Sequence, residues 1–312
     1  MTLRIGVDLG GTKTEVIALG ARGAVLDRRR EPTPSHDYPA AIALIARMVK
    51  RAEVQVGQRA SVGVGTPGSL SPATGLLRNS NSTAFNGKPL KEDLERALGR
   101  EIRVANDANC FALSEARDGA GRDAPIVFGA ILGTGVGGGV VVSGRVIEGA
   151  NGIGGEWGHN PLPWPLDSER PGPACFCGRH GCIETFLSGP GLVRDHAAHT
   201  GETLVTEEIV RRAATNDAAA EASLARYEGR LARALATVIN VIDPDSIVLG
   251  GGLSNLERLY VNVPRLWLNW IFSDVVRTRL ERNMHGDSSG VRGAAWLWPP
   301  GSAPIRGRPS PS

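Results

Sequence analysis

The 312-residue chain is 41% hydrophobic and 21% charged, enough for two ordinary domains with their own cores. A net charge of +3 argues against a broad nucleic-acid surface, and no run of about 18 apolar residues exists to cross a membrane. The N-terminus enters an apolar strand pattern with no basic region and no cleavage site, so the cytoplasm is the expected location.

Residues 4–8 read as an apolar strand, followed by the turn Leu9-Gly10-Gly11-Thr12-Lys13 and strands over 14–19 and 24–30. Helical periodicity covers 38–54, and 61–65 is a buried strand. A helix over 90–98, a strand over 102–105 and a helix over 107–116 come next. The opening pattern then returns: a strand over 127–132, the turn Gly133-Thr134-Gly135, and strands over 136–142 and 145–147. One half of the chain echoes the other, as a repeat of two. Residues 151–184 are irregular and rich in Pro and Gly, which marks a functional loop. Residues 189–242 are mainly helical, 245–249 form a strand ended by Gly250-Gly251-Gly252, and helices cover 256–271 and 290–297. The expected domains are 1–118, closed by the helix 290–298, and 119–289, which carries the irregular loop. Residues 299–312 read as a disordered tail.

Four constellations carry chemistry. In Asp8-Leu9-Gly10-Gly11-Thr12-Lys13 the glycines let backbone N–H groups face an oxyanion, and Asp8 is placed to hold Mg²⁺ through water. The spacing is not the Walker pattern. A matching turn at Gly133, Thr134 and Gly135 lets two hairpins clamp a polyphosphate. Asn106-Asp107, between a strand and an apolar helix, is either an N-cap or the general base for a sugar hydroxyl. Cys175, Cys177 and Cys182 with His159 match a four-ligand structural zinc site, with His180 as the rival nitrogen ligand. Glu156 and Glu184 flank that staple and suit bidentate recognition of sugar hydroxyls. Gly250, Gly251 and Gly252 let a flat ring lie against backbone. Cys110 reads as a buried small hydrophobe.

These motifs, in this order, resemble the ROK family of repressors, open reading frames and kinases. The longer stretches Asp8 to Leu19, 106–110, 156–164 and 285–296 look similar to bacterial fructokinases of the manno(fructo)kinase type. The resemblance implies an actin-like (ribonuclease H-like) ATPase fold, two α/β domains around a central cleft. It implies an ATP-dependent kinase that phosphorylates the 6-hydroxyl of fructose, and mannose as well. Asp107 would be the catalytic base, with Gly68, Asn106, Glu156, His159 and Glu184 around the sugar. Gly10 to Lys13 and Gly133 to Gly135 would line the phosphates of MgATP, and Gly250 to Gly252 the adenine side. His159, Cys175, Cys177 and Cys182 would hold zinc. The expected partners are a small sugar and ATP, without nucleic acid or membrane, in a homodimer or monomer. Two rivals differ in class. A DNA-binding regulator needs a winged helix-turn-helix ahead of the sugar domain, and the phosphate loop at Asp8 leaves no room for one. A catalytically dead sugar-binding module would lack the base or a phosphate loop, and both are present. Among kinases, glucose and N-acetylhexosamines remain alternative substrates.

Overall fold

The computed structural model describes residues 3–80 and 82–299. The tail expected over 299–312 therefore lies, but for Pro299, outside the described residues. Strands β1 (Arg4–Leu9), β2 (Lys13–Leu19), β3 (Val25–Pro32) and β4 (Ser61–Thr66) are followed by a short hairpin of β5 (Ser69–Leu70) and β6 (Leu77–Arg78), then by β7 (Arg103–Asn106). The first sheet has the order β3-β2-β1-β4-β7. Strands β8 (Ile126–Leu132), β9 (Val136–Val142), β10 (Arg145–Val146), β11 (Ser246–Gly250) and β12 (Arg279–Arg282) make the second, in the order β10-β9-β8-β11-β12. In both sheets three strands meander antiparallel and two more join in parallel. The repeated Gly/Thr turn is thus the visible part of a duplicated topology.

Helices α1 (Tyr38–Val56), α2 (Leu90–Leu98) and α3 (Asp107–Asp118) belong by sequence to the first half. To the second belong α4 (Ile183–Leu187), α5 (Gly189–Thr200), α6 (Thr206–Ala214), α7 (Ala218–Ile242), α8 (Arg258–Leu266) and α9 (Ser289–Trp296). Their ends follow local chemistry. Asp37 caps α1 by accepting from the Ala40 N–H at 3.0 Å, and Gly57 stops it in the left-handed conformation. Leu44, Ile45, Met48, Val49 and Ala52 form its buried stripe.

The two sheets exchange their closing helices. Although α3 follows β7, it lies on β8 and β9; α9 follows β12 but lies on β1 and β4. Missing side chains permit these approaches. A Cβ on Gly6 or Gly63 would collide with the carbonyls of Val291 or Ala294 in α9, and one on Gly139 would come 2.8 Å from the Ala108 carbonyl of α3. Gly293 brings α9 onto the backbone of Cys110, which is fully buried. Ile17, Leu113, Val127, Val248 and Val291 complete this seam. The end of α9 is tied down as well: Trp298 Nε1 donates to the Val62 carbonyl at 2.7 Å, and Arg4 Nε donates to the Trp298 carbonyl at 3.1 Å. Duplicated sheets joined through crossed helices are the actin-like ATPase fold. The ends of β1, β7, β8 and β11 open on one cleft, where the candidate residues lie.

Candidate active site

At the end of β1 the Gly10 N–H closes the turn onto the Lys13 carbonyl at 3.1 Å; the equivalent bond from Gly133 to Gly135 is 3.0 Å. The turn at Gly10 leaves the Gly11 and Thr12 N–H groups without a backbone partner among the described residues. Asp8, Gly10, Gly11, Asp107, Gly251 and Gly252 share one cavity of about 470 Å³. Gly133 and Thr134 line an adjoining cavity of about 1050 Å³, which shares Gly252 and is walled by α5, α6 and Leu253. Gly251 requires its φ of +81°, and a Cβ there would strike the Leu132 carbonyl, so the third glycine run fits tightly behind the β8 turn. Gly250 instead faces the Phe111 ring inside the core, and Thr12 and Lys13 are exposed and line neither cavity.

Asn106 caps α3. Its Oδ1 accepts from the Ala108 N–H at 2.8 Å, while its Nδ2 donates to the Gly68 carbonyl at 3.0 Å. Gly68 has φ +79°, and a Cβ would strike the Arg78 carbonyl, so the β5–β6 hairpin explains this glycine sterically. Asn106 also lines a small pocket of about 90 Å³ with Thr66 and Asn109. The cap belongs to Asn106, which frees its neighbour from that duty. Asp107 Oδ1 also accepts from the Ala108 N–H, at 2.8 Å. Burial raises the Asp107 pKa to about 6, against the pull of the Ala108 N–H and with the help of the Glu156 charge. Burial, then the charges of Asp107 and Glu15, raise Asp8 to about 7. Two coupled carboxylates in one cavity mark a site built for ionic chemistry.

The irregular loop delivers the remaining residues. Glu169 anchors it to α7 by ion pairs of 2.8 Å to Arg230 and to Arg233. Burial opposes ionisation there, yet the two guanidiniums hold Glu169 down to about 2. Nearer the cleft, the donor atoms of His159, Cys175, Cys177 and Cys182 all lie within 4.8 Å of one another. Cys175 Sγ is 3.5 Å from His159 Nδ1, and Cys177 Sγ is 3.6 Å from Cys182 Sγ. Four ligands about 2.3 Å from a zinc ion at tetrahedral angles require about this spacing, so the residues fit the metal. His180 lies outside the cluster, paired with Ala174 in an isolated β-bridge. Glu184 joins this centre to the second hairpin. One oxygen accepts from the Val136 N–H at 3.0 Å, and the other is 3.9 Å from Cys175 Sγ. A Cβ on Gly135 would come 2.6 Å from that carboxylate, so Gly135 makes room for Glu184. Glu156 is exposed.

Residues 4–300 match the sequence pattern of the ROK family. The chain belongs to the ROK family. An N-acetyl-D-glucosamine kinase from Pectobacterium atrosepticum is 40% identical over 296 residues, covering 94% of this chain and 97% of that one. Among solved ROK structures, a hexokinase from Thermus thermophilus superposes with a TM-score of 0.85 at 32% identity, covering 95% of this chain and 97% of the other. A ROK glucokinase from Streptomyces griseus, in complex with glucose and AMPPNP, gives 0.74 at 27%, covering 95% and 98%. The fructokinase expectation is overturned: the similar ROK relative acts on N-acetylglucosamine. The stretches that suggested fructose hold the turn after β1, the α3 cap, the His159 segment and α9.

Sequence reasoning also missed the larger cavity. Its wall comes from Pro190, Val193, Val205 and Val210 with Leu253 and Leu256, apolar residues that read only as helix faces. The one signal was Ser188-Gly189-Pro190, a capped helix start whose Gly189 N–H donates to the Gly133 carbonyl at 2.8 Å. Ser289 and Gly290, at the start of α9, line the smaller cavity beside Asp8.

Proposed function

We propose that the chain is an ATP-dependent N-acetylglucosamine kinase that phosphorylates the sugar 6-hydroxyl. The observation that carries this reading is the 40% identity to an N-acetyl-D-glucosamine kinase over 94% of the chain. The cleft supports it. ATP is assigned to the joined cavities, with adenine in the apolar wall of α5 and α6 and phosphates toward Gly10, Gly11 and Thr134. Asp107 accepts the proton of the attacking hydroxyl, and the hydroxyl oxygen attacks the γ-phosphorus as the bond to ADP breaks. The Gly11 N–H, which has no backbone partner among the described residues, donates to a phosphate oxygen as its charge spreads. Asp8 is the group that would orient Mg²⁺, which neutralises phosphate charge when bound. Glu156, His159 and Glu184, with Asn106 and Gly68, are assigned to the sugar side. Zinc on His159, Cys175, Cys177 and Cys182 has a structural role, because four protein ligands leave no open position.

Incubation with MgATP and N-acetylglucosamine should yield one ADP per sugar consumed and a 6-phosphate by mass and NMR analysis. ADP formation that is independent of sugar would contradict the assignment. The pH profile is a second check. Asp107 must be ionised to act, and burial sets its free-enzyme pKa at about 6 with Asp8 at about 7. Below about 7, kcat/KM should therefore fall, and below about 6 it should fall by about tenfold or more per pH unit. A profile flat down to pH of about 5 is incompatible with these roles.

A further inference from the structure

A cavity of about 680 Å³ lies away from the phosphate turns, at the seam of the two sheets. The outer edge of β7 forms one wall, with α2 beside it, and the β9–β10 turn of the second sheet forms the other. Four cationic side chains line it, Lys91, Arg103, Arg117 and Arg145, against two carboxylates, Glu101 and Glu148. Lys91 is paired with Glu95 at 3.8 Å, and Arg103 donates to the Leu297 carbonyl at 2.6 Å. Arg117 and Arg145 have no carboxylate partner among the described residues, and Arg117 Nε is buried with no acceptor at all. The Arg117 guanidinium lies under the backbone of Gly144, where a Cβ would come 2.9 Å from its carbon. Burial, then the charge of Arg145, pull the Arg117 pKa below the usual arginine value. Burial and Arg117 do the same to Arg4, whose Nη1 is also buried without an acceptor. Like charges held together with unused donors are costly unless an anion joins them.

The remaining wall is apolar. Leu70 and Val104, both half-buried, offer a face for a ring, with the buried Leu113 and Trp296 behind them, and the volume suits a molecule larger than a bare phosphate ion. Leu70, Val104 and Glu148 also line the small pocket in front of Asn106, so the cavity adjoins the sugar side from behind. We propose that this cavity is a second ligand site, taking a sugar phosphate whose phosphate sits between Arg117 and Arg145 and whose ring lies against Leu70 and Val104. The site is separate from the proposed kinase cleft and does not depend on that reading.

Calorimetric titration of the full chain tests it, with the cleft first saturated by N-acetylglucosamine and a non-hydrolysable ATP analogue. N-acetylglucosamine 6-phosphate should bind once per chain, and inorganic phosphate more weakly. Arg145→Ala, at the exposed start of β10, and Arg117→Met should each weaken binding at least about tenfold, the size of a lost charge-assisted contact. Arg117→Met should also leave the ligand-free chain as stable as the wild type or more so, since it removes an unpaired buried charge. Absence of binding to the blocked enzyme would overturn the proposal, as would unchanged affinity in Arg145→Ala. Inorganic phosphate binding as tightly as the sugar phosphate would overturn the ring assignment. If the kinase reading itself were wrong, the block would fail equally in wild type and variants, and the difference between them would still report on the cavity.

Discussion

Asp107→Asn is expected to lower kcat by about 10²–10⁴-fold, the usual contribution of a positioned acid–base group, while sugar affinity stays within a few-fold. Asn keeps the size of the side chain and can still meet the sugar hydroxyl. It cannot take the proton. The structure sharpens this test because the helix cap is Asn106, whose side chain bonds both the Ala108 N–H and the Gly68 carbonyl. Asp107 adds only a second contact to the same N–H, so the substitution should barely change thermal stability. Rapid-quench kinetics with a separate sugar-binding measurement would check it. Retention of more than about a tenth of wild-type kcat, well short of the acid–base range, would remove Asp107 from the chemistry.

Cys177→Ala is expected to empty the zinc centre and to damage the sugar side at a distance. Metal analysis should give about one zinc per wild-type chain, as for other four-ligand sites, and far less in the variant. The loop from 151 to 182 holds only short 3₁₀ turns and isolated bridges; the His159–Cys182 cluster and the Glu169 ion pairs tie it down, together with Trp157 and Leu162, which are buried in the core. Without the metal, His159 and Glu184 lose their fixed positions, and a displacement of about 1 Å in a positioning group can cost about 10²-fold in kcat/KM. The melting temperature should fall as well. Glu169→Gln offers a comparison: it loosens the same loop at its far end while leaving the ligands in place, so zinc should be retained. A Cys177→Ala protein with full zinc content and normal kcat/KM would show that the cluster does not hold the metal.

The framework of the fold was readable because its signals are local. The two Gly/Thr turns sit between strands of alternating or fully apolar pattern, and each starts a meander that the structure reproduces. What escaped reading has identifiable causes. Strand β12, Arg-Leu-Glu-Arg, is a half-exposed edge strand with one apolar residue, and β5 and β6 have two residues each. The exchange of α3 and α9 depends on glycines at Gly6, Gly63 and Gly139, which look like ordinary strand residues until a helix is laid over them. Within the site, the clustering of His159, Cys175, Cys177 and Cys182 was legible because Cys and His at close spacing have few other uses. Gly135, Gly68 and Gly250 were harder, since the first makes room for Glu184, the second serves the β5–β6 hairpin and the third faces Phe111. The wall of the larger cavity was hidden because apolar residues on α5 and α6 carry the same pattern whether they face a core or a ligand. Sugar identity was the least legible: an acetamido group is told from a hydroxyl by pocket shape, which several distant segments build together.

Initial rates on N-acetylglucosamine, glucose, mannose and fructose, with one enzyme preparation and saturating MgATP, identify the substrate. The highest kcat/KM is expected for N-acetylglucosamine, by at least about tenfold over each of the others, because a site shaped for the acetamido group leaves that space unfilled with a simple hexose. A kcat/KM for glucose, mannose or fructose equal to or above that for N-acetylglucosamine would contradict it.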